Sequence, residues 1–168
     1  MDRHAGITLL ELLTVIALAA VMTGLAIPAL DSVMLNARRA AAIESLVRAA
    51  WFARTEALRR GRPVVLCGSA GDAHCAADPD AWSGGWLVAA ADAPSVALRR
   101  GPGVRDPRAR IVANRRTFRF EPHDHRGTNG TLAWCDGRGE TAARAVIIAP
   151  TGRPRVEHGP GSLACPRE

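Results

Sequence analysis

Residues 6–30, GITLLELLTVIALAAVMTGLAIPAL, form an almost unbroken apolar segment near the start of a chain of 168 residues. A helix that spans a bilayer needs about 20 apolar residues, and residues 7–30 supply that length. A secretory signal peptide would be shorter and would end in a small-residue cleavage site. The segment therefore predicts a membrane-spanning helix over residues 7–30, preceded by a short polar leader over residues 1–6.

Glu11 is the one acidic residue inside this apolar segment. A carboxylate inside a bilayer costs about 2.5–3.5 kcal/mol on insertion scales, so such residues usually serve a function. Cleavage after Gly6 would give Ile7 a free amine, and in an assembly of parallel helices Glu11 of one subunit can neutralise the amine of its neighbour. We therefore expect Glu11 to act in assembly. The alternative is an acid that reaches the interface near a helix end and has no role.

Helical periodicity continues after the apolar segment. Apolar residues recur every three or four positions between Ile43 and Leu58, which predicts an amphipathic continuation of the helix over residues 31–61. Gly61 ends the helix, with Pro63 just beyond it. We expect this half of the helix to lie against a globular domain.

Residues 62–168 contain short apolar runs separated by turn residues, which predict a small antiparallel β-sandwich or curled sheet packed on the helix. The predicted strands lie within residues 63–67, 85–92, 95–100, 109–122, 130–135, 143–150 and 153–158. The run 143–150 is predicted as a central strand, and 153–158 as an edge strand, because Pro154 cannot donate to a ladder. Asn129-Gly130 predicts a hairpin turn in preference to a glycosylation acceptor.

Four cysteines, in a chain whose N-terminus resembles an export signal, indicate disulfides in an oxidising compartment. Three pairings can be drawn, and we favour the one that closes two short loops, Cys67–Cys75 and Cys135–Cys165. The alternative is a zinc site that includes His74, His123 or His125. Zinc sites favour cysteines in C-x2-C spacing, whereas Cys67 and Cys75 are eight positions apart. We therefore expect no metal.

The net charge is +6, and all 22 basic residues are arginine, whose planar fork suits phosphate and carboxylate. A GC-rich genome also favours arginine, so composition only permits an anionic partner. The chain contains no G-x-S-x-G, P-loop or H-E-x-x-H motif, and we predict a non-enzyme without a cofactor. For a middle group of arginines we favour a solvated surface over a basic face: Arg99, Arg100, Arg105, Arg108, Arg110, Arg115, Arg116 and Arg119.

The apolar N-terminal block resembles the signature of type IV pilins and type II secretion pseudopilins. It has a glycine before the cut, the run TLLEL, an acid five residues after the cut, and a proline two-thirds along; Ile7 stands where phenylalanine is commonest. The resemblance implies cleavage between Gly6 and Ile7 by a prepilin peptidase, N-methylation of Ile7, and a role for Glu11 in filament assembly. It also implies storage in the bacterial inner membrane, with a periplasmic C-terminal domain, before assembly with other pilins into a pilus or pseudopilus.

The rest of the chain resembles the GspH/FimT family of minor pilins and pseudopilins, in residues 64–88, 120–136 and 143–156. This resemblance implies an α+β, type IV pilin-like fold, with residues 62–168 as a β domain that ends in a basic tail. In FimT-like minor pilins a G-R-x-R motif in the tail binds double-stranded DNA for natural transformation. Here the motif is Gly152-Arg153-Pro154-Arg155, with Arg167 as an additional contact. The other branch is a structural minor pseudopilin of type II secretion, and both remain open at this point.

Overall fold

A computed structural model describes residues 8–71, 74–76, 78–123 and 126–166. One helix is followed by eight strands, with a 3₁₀ turn at Pro79–Gly84 between the first two strands. The elements are α1 Leu9–Arg60, β1 Val64–Gly68, β2 Gly85–Ala90, β3 Ala93–Pro102, β4 Ala109–Ala113, β5 Thr117–Phe120, β6 Gly130–Asp136, β7 Arg144–Ile148 and β8 Pro154–His158. The chain divides into two compact units between Arg38 and Arg39.

The first unit holds the apolar part of α1, in which large hydrophobic side chains from Leu9 to Met34 are exposed. Among the described residues, α1 is the one helix long and apolar enough to cross a membrane. Thr8 is the N-cap of this helix, and its Oγ1 accepts a hydrogen bond of 3.2 Å from the Glu11 amide. Threonine at this position satisfies an amide that a helix start otherwise leaves unpaired.

The second unit has one core, built from the rest of α1 and from two sheets. Small residues of the helix contact this core without any exposed area: Ala49, Ala50, Ala53 and Ala57. Larger side chains of both sheets fill the space opposite them, including Trp86, Phe118 and Trp134. The indole of Trp86 also donates to Ser45 Oγ of the helix at 3.0 Å. The predicted α+β fold, with a long helix packed on antiparallel sheets, is confirmed.

Both sheets have four antiparallel strands. Sheet A has the order β3-β2-β1-β5, and sheet B has the order β4-β6-β7-β8. In sheet B, β7 is an internal strand and β8 is an edge strand, in agreement with the sequence analysis. In that sheet Ile147 of β7 is paired with Arg155 of β8.

One local expectation differs from the structure. Asn129-Gly130 is not a hairpin turn, since Gly130 is the first residue of β6 and is paired with Ile148. The connection after β5 reverses earlier, where the Glu121 amide donates to the Arg126 carbonyl at 3.0 Å. The region 109–122, predicted to hold one or two strands, holds two, β4 and β5, which lie in different sheets.

Two disulfides are present, Cys67–Cys75 and Cys135–Cys165, which are the pairs favoured from the sequence. All four cysteines are thereby engaged, so no thiolate is left for the zinc site considered above. Of the three histidines named for that site, His74 is exposed and His125 lies outside the described residues.

Candidate nucleic-acid interface

The G-R-x-R motif begins in the tight turn that joins β7 to β8. The turn is closed by two backbone hydrogen bonds, from the Gly152 amide to the Ala149 carbonyl at 2.8 Å and from the Ala149 amide to the Arg153 carbonyl at 3.0 Å. Gly152 has a φ of 72°, in the left-handed region where a side chain is disfavoured. A glycine is therefore required at this point of the motif.

This turn is fixed from three sides by residues distant in the sequence. The guanidinium of Arg54, on α1, donates to the Thr151 carbonyl. The Gly127 amide donates to the Pro150 carbonyl at 2.8 Å. A Cβ on Gly152 would lie 3.2 Å from Cδ1 of Phe120. Gly152 is buried, so it positions the motif and cannot itself contact a large partner.

Arg153 and Arg155 are both exposed, immediately after this fixed turn. Arg155 is the second residue of the edge strand β8, and Arg153 directly precedes that strand. Within the described part of the chain, no carboxylate pairs with Arg153. Arg155 Nε donates to Glu157 Oε1 at 2.9 Å, in a pair whose side chains are 59% and 41% exposed. An exposed pair of this kind contributes little to stability, so Arg155 can exchange partners at low cost.

The face of sheet B that carries Arg155 is covered in its middle by the C-terminal tail. Leu163 and Cys165 of the tail pack on Ala133, Cys135 and Ala145. The disulfide Cys135–Cys165 fixes the tail to β6. Arg167, named as an additional contact, lies outside the described residues.

The middle arginines do not share one face. Arg110 is paired with Cys135, on the same face as Arg155, and lines an open cleft of about 500 Å³ with Arg108. Arg99 and Arg100 lie on β3 of the other sheet. Arg108 is already bonded to the buried carboxylate of Asp106, with Nη2 and Oδ2 3.1 Å apart. These arginines therefore form separate groups and do not form a continuous basic surface.

Asp136, next to the cleft, is the most strongly perturbed acid of this sheet. Arg138 donates to both of its oxygens, at 3.0 and 2.7 Å, and the Trp134 indole donates at 3.2 Å. The hydrogen bonds from the Arg138 side chain are the main reason why the pKa of Asp136 falls from 3.8 to about 2, although burial opposes the shift. The carboxylate is thus charged and satisfied within the fold, and it is not a free acid for catalysis.

Of the residues predicted at the N-terminus, Gly6 and Ile7 lie outside the described residues. Glu11 is exposed in the first turn of α1. Sequence reasoning did not identify Arg54, Gly127 or Phe120, which hold the motif, nor the pairing of Arg155 with Glu157. The pairing of Arg155 with Glu157 could have been predicted from the sequence, because residues two positions apart on a strand share a face.

A family model for "Type II transport protein GspH" matches residues 42–152 of this chain. The chain belongs to the GspH family. It is therefore of the minor pilin and pseudopilin class, found in type IV pili or type II secretion, whose members assemble with other pilins. A comparison with curated proteins gives no match.

Two crystal structures of the type IV minor pilin FimU of Pseudomonas aeruginosa strain PAO1 are similar to this chain. The form in space group P21 has a TM-score of 0.55 at 23% identity, and covers 75% of this chain and 91% of FimU. The form in space group P65 has a TM-score of 0.53 at 23% identity, and covers 74% of this chain and 94% of FimU. At this identity the likeness shows a shared fold.

Proposed function

We propose that this chain is a FimT-like minor pilin of a type IV pilus that binds double-stranded DNA without sequence preference, for uptake in natural transformation. The observation that carries the proposal is that Arg153 and Arg155 are both exposed directly after a rigidly held turn. Arginine forks on a fixed backbone suit successive phosphates, and ordering costs little because the turn is already set. Arg167 would add a contact from the tail.

The N-terminal steps belong to the same proposal. A prepilin peptidase cleaves between Gly6 and Ile7, and Ile7 is then N-methylated. The apolar part of α1 holds the subunit in the inner membrane, with the β domain in the periplasm, until it enters the filament. There Glu11 neutralises the N-terminal amine of a neighbouring subunit.

A second candidate function is that of a structural minor pseudopilin of type II secretion. Two observations favour it: the description of the matching family model, and the ion pair between Arg155 and Glu157. In this function Arg153 and Arg155 would pair with carboxylates of neighbouring subunits instead of phosphates.

The test is a titration of residues 36–168, which contain the whole second unit, against mixed-sequence duplex DNA at several salt concentrations. Each phosphate contact contributes about −0.9 to the slope of log affinity against log salt. Arg153→Ala/Arg155→Ala should therefore reduce the steepness of the slope by about 1.8. Between 50 and 200 mM salt, the DNA affinity of this variant should then fall about tenfold less than that of the wild type. Arg48→Ala/Arg62→Ala is the matched control, since both of those arginines are exposed and ion-paired.

Glu157→Gln provides a variant that should act in the opposite direction. It removes the carboxylate that competes with phosphate for Arg155, so DNA affinity should rise severalfold at low salt. The DNA proposal fails if the wild type does not bind at low salt, or if the control variant loses as much of the slope as the Arg153/Arg155 variant.

A further inference from the structure

Three arginines come together on one turn of the second unit, and we call Arg39, Arg138 and Arg144 the arginine cluster. Arg39, on α1, donates to the Ala142 carbonyl. Arg144, at the start of β7, donates to the Ala143 carbonyl at 2.7 Å. These carbonyls belong to adjacent residues, and Arg144 is close enough to Arg39 to repel its charge.

Positive charge in the arginine cluster exceeds the negative charge available to it. Asp136 is engaged by Arg138. Across the ranges that the structure describes, neither Arg39 nor Arg144 bonds to a carboxylate. Glu140, in the same turn, accepts a hydrogen bond from the Cys165 amide of the tail. Of the charges that act on Arg39, two are the arginines Arg144 and Arg138, and one is the acid Asp136.

The excess charge is unfavourable in the isolated chain. Burial lowers the pKa of Arg39, and repulsion from Arg144 and then Arg138 lowers it further, whereas Asp136 opposes the change. Partly buried charges without a counter-charge cost free energy, so an anion bound here would offset that cost. Two neighbouring guanidinium forks match the oxygens of a phosphate.

The position of the cluster along the chain indicates where such a phosphate would come from. Within the first unit, Met34 is the last exposed large hydrophobic residue, and Arg39 follows five residues later. Five residues of α-helix rise about 7.5 Å, which is about the thickness of the headgroup layer beside the hydrocarbon core. The cluster is also distinct from the G-R-x-R motif, because Arg144 is paired with His158 at the other end of β8 from Pro154.

We propose that the arginine cluster binds the phosphate of an anionic phospholipid headgroup at the membrane surface. Headgroup binding orients the β domain on the bilayer before the subunit enters a filament. This inference rests on the membrane anchor in the proposed function, and it is independent of DNA binding.

The test uses the full chain in a neutral detergent, with phosphatidylglycerol or phosphatidylcholine added, and measures bound lipid by native mass spectrometry. A basic side chain near an anionic surface contributes about fivefold to affinity, so Arg39→Gln/Arg144→Gln should lower phosphatidylglycerol affinity about 25-fold. Phosphatidylcholine binding should not change. Arg48→Gln, on the same helix and paired with Glu44, removes one charge outside the cluster and should have no effect.

Arg39 and Arg144 also support the turn, so each variant is checked for fold by circular dichroism. If the double variant does not fold, Arg144→Gln alone should lower the affinity about fivefold. Equal binding of the two lipids by the wild type, or an equal loss in Arg48→Gln, overturns the proposal. The proposal is also overturned if the double variant binds lipid normally but no longer copurifies with pilin subunits. In that case the cluster binds a carboxylate of a neighbouring subunit instead of a phosphate. Membrane fractionation of the same variants tests the anchor separately.

Discussion

Asp136→Asn should remove an acid-sensitive part of the stability of the β domain. The carboxyl has an ordinary pKa of 3.8 in the unfolded chain and about 2 in the folded chain. The unfolded state therefore binds more protons over this interval, so the stabilisation is complete above about pH 5 and is lost as the pH falls towards 2. A difference of about 1.8 pKa units corresponds to about 2 kcal/mol, of which about half should be gone at pH 3.

The measurement is urea unfolding followed by tryptophan fluorescence, at intervals from pH 7 to pH 2, for the wild type and Asp136→Asn. Glu56, whose pKa is also lowered to about 2 by hydrogen bonds from Arg59 and Arg60, is present in both proteins. The difference between the two curves therefore isolates Asp136. It should be about 2 kcal/mol at pH 7 and should approach zero near pH 2. Two curves that fall in parallel from pH 5 to pH 2 would show that the Arg138 bonds do not stabilise the charged carboxyl.

Three further changes test other parts of the structure. Gly152→Ala should destabilise the fold by about 1–2 kcal/mol in thermal unfolding, because a methyl group is disfavoured at this φ; Gly137→Ala, with no atom near its Cβ, should have little effect. Replacing the Cys135–Cys165 bridge, which closes a loop of 30 residues, by two serines should cost about 3.5 kcal/mol in urea unfolding, and a loss below about 1 kcal/mol would contradict a tail that is fixed by the bridge. Glu11→Ala should leave membrane insertion intact and reduce incorporation into filaments; Glu11→Gln, which keeps the size of the side chain but removes its charge, should reduce it as much. Normal incorporation of Glu11→Gln would contradict a role of the charge in neutralising a neighbouring amine.

The periodic elements could be predicted from the sequence because each is determined by its own side chains. The apolar stripe indicated the buried helix face correctly from Ile43 to Ala57, although Leu58 at its end is exposed, and Gly61 indicated where the helix ends. Pro154 indicated an edge strand, since it lacks the amide that a central strand needs. In these cases the local preference and the tertiary structure agree.

The candidate site could be predicted only in part, because its geometry depends on contacts between distant residues. No local pattern indicates that Arg54 donates to the Thr151 carbonyl, 97 positions further along the chain. The strong turn signal of Asn129-Gly130 is overridden, because pairing with Ile148 extends β6 through Gly130. The excess charge around Arg39 is likewise invisible in the sequence, where that residue is one arginine among 22.

The hydrogen bond from Arg54 to the Thr151 carbonyl has a mechanical consequence. It connects the helix directly to the loop that carries Arg153, without passing through either sheet. Phe120, which packs against Gly152, supports the same junction from β5. Force applied to the helix is therefore transmitted to the loop of the exposed arginines through this one hydrogen bond. Force applied to those arginines is transmitted to the helix through the same contact.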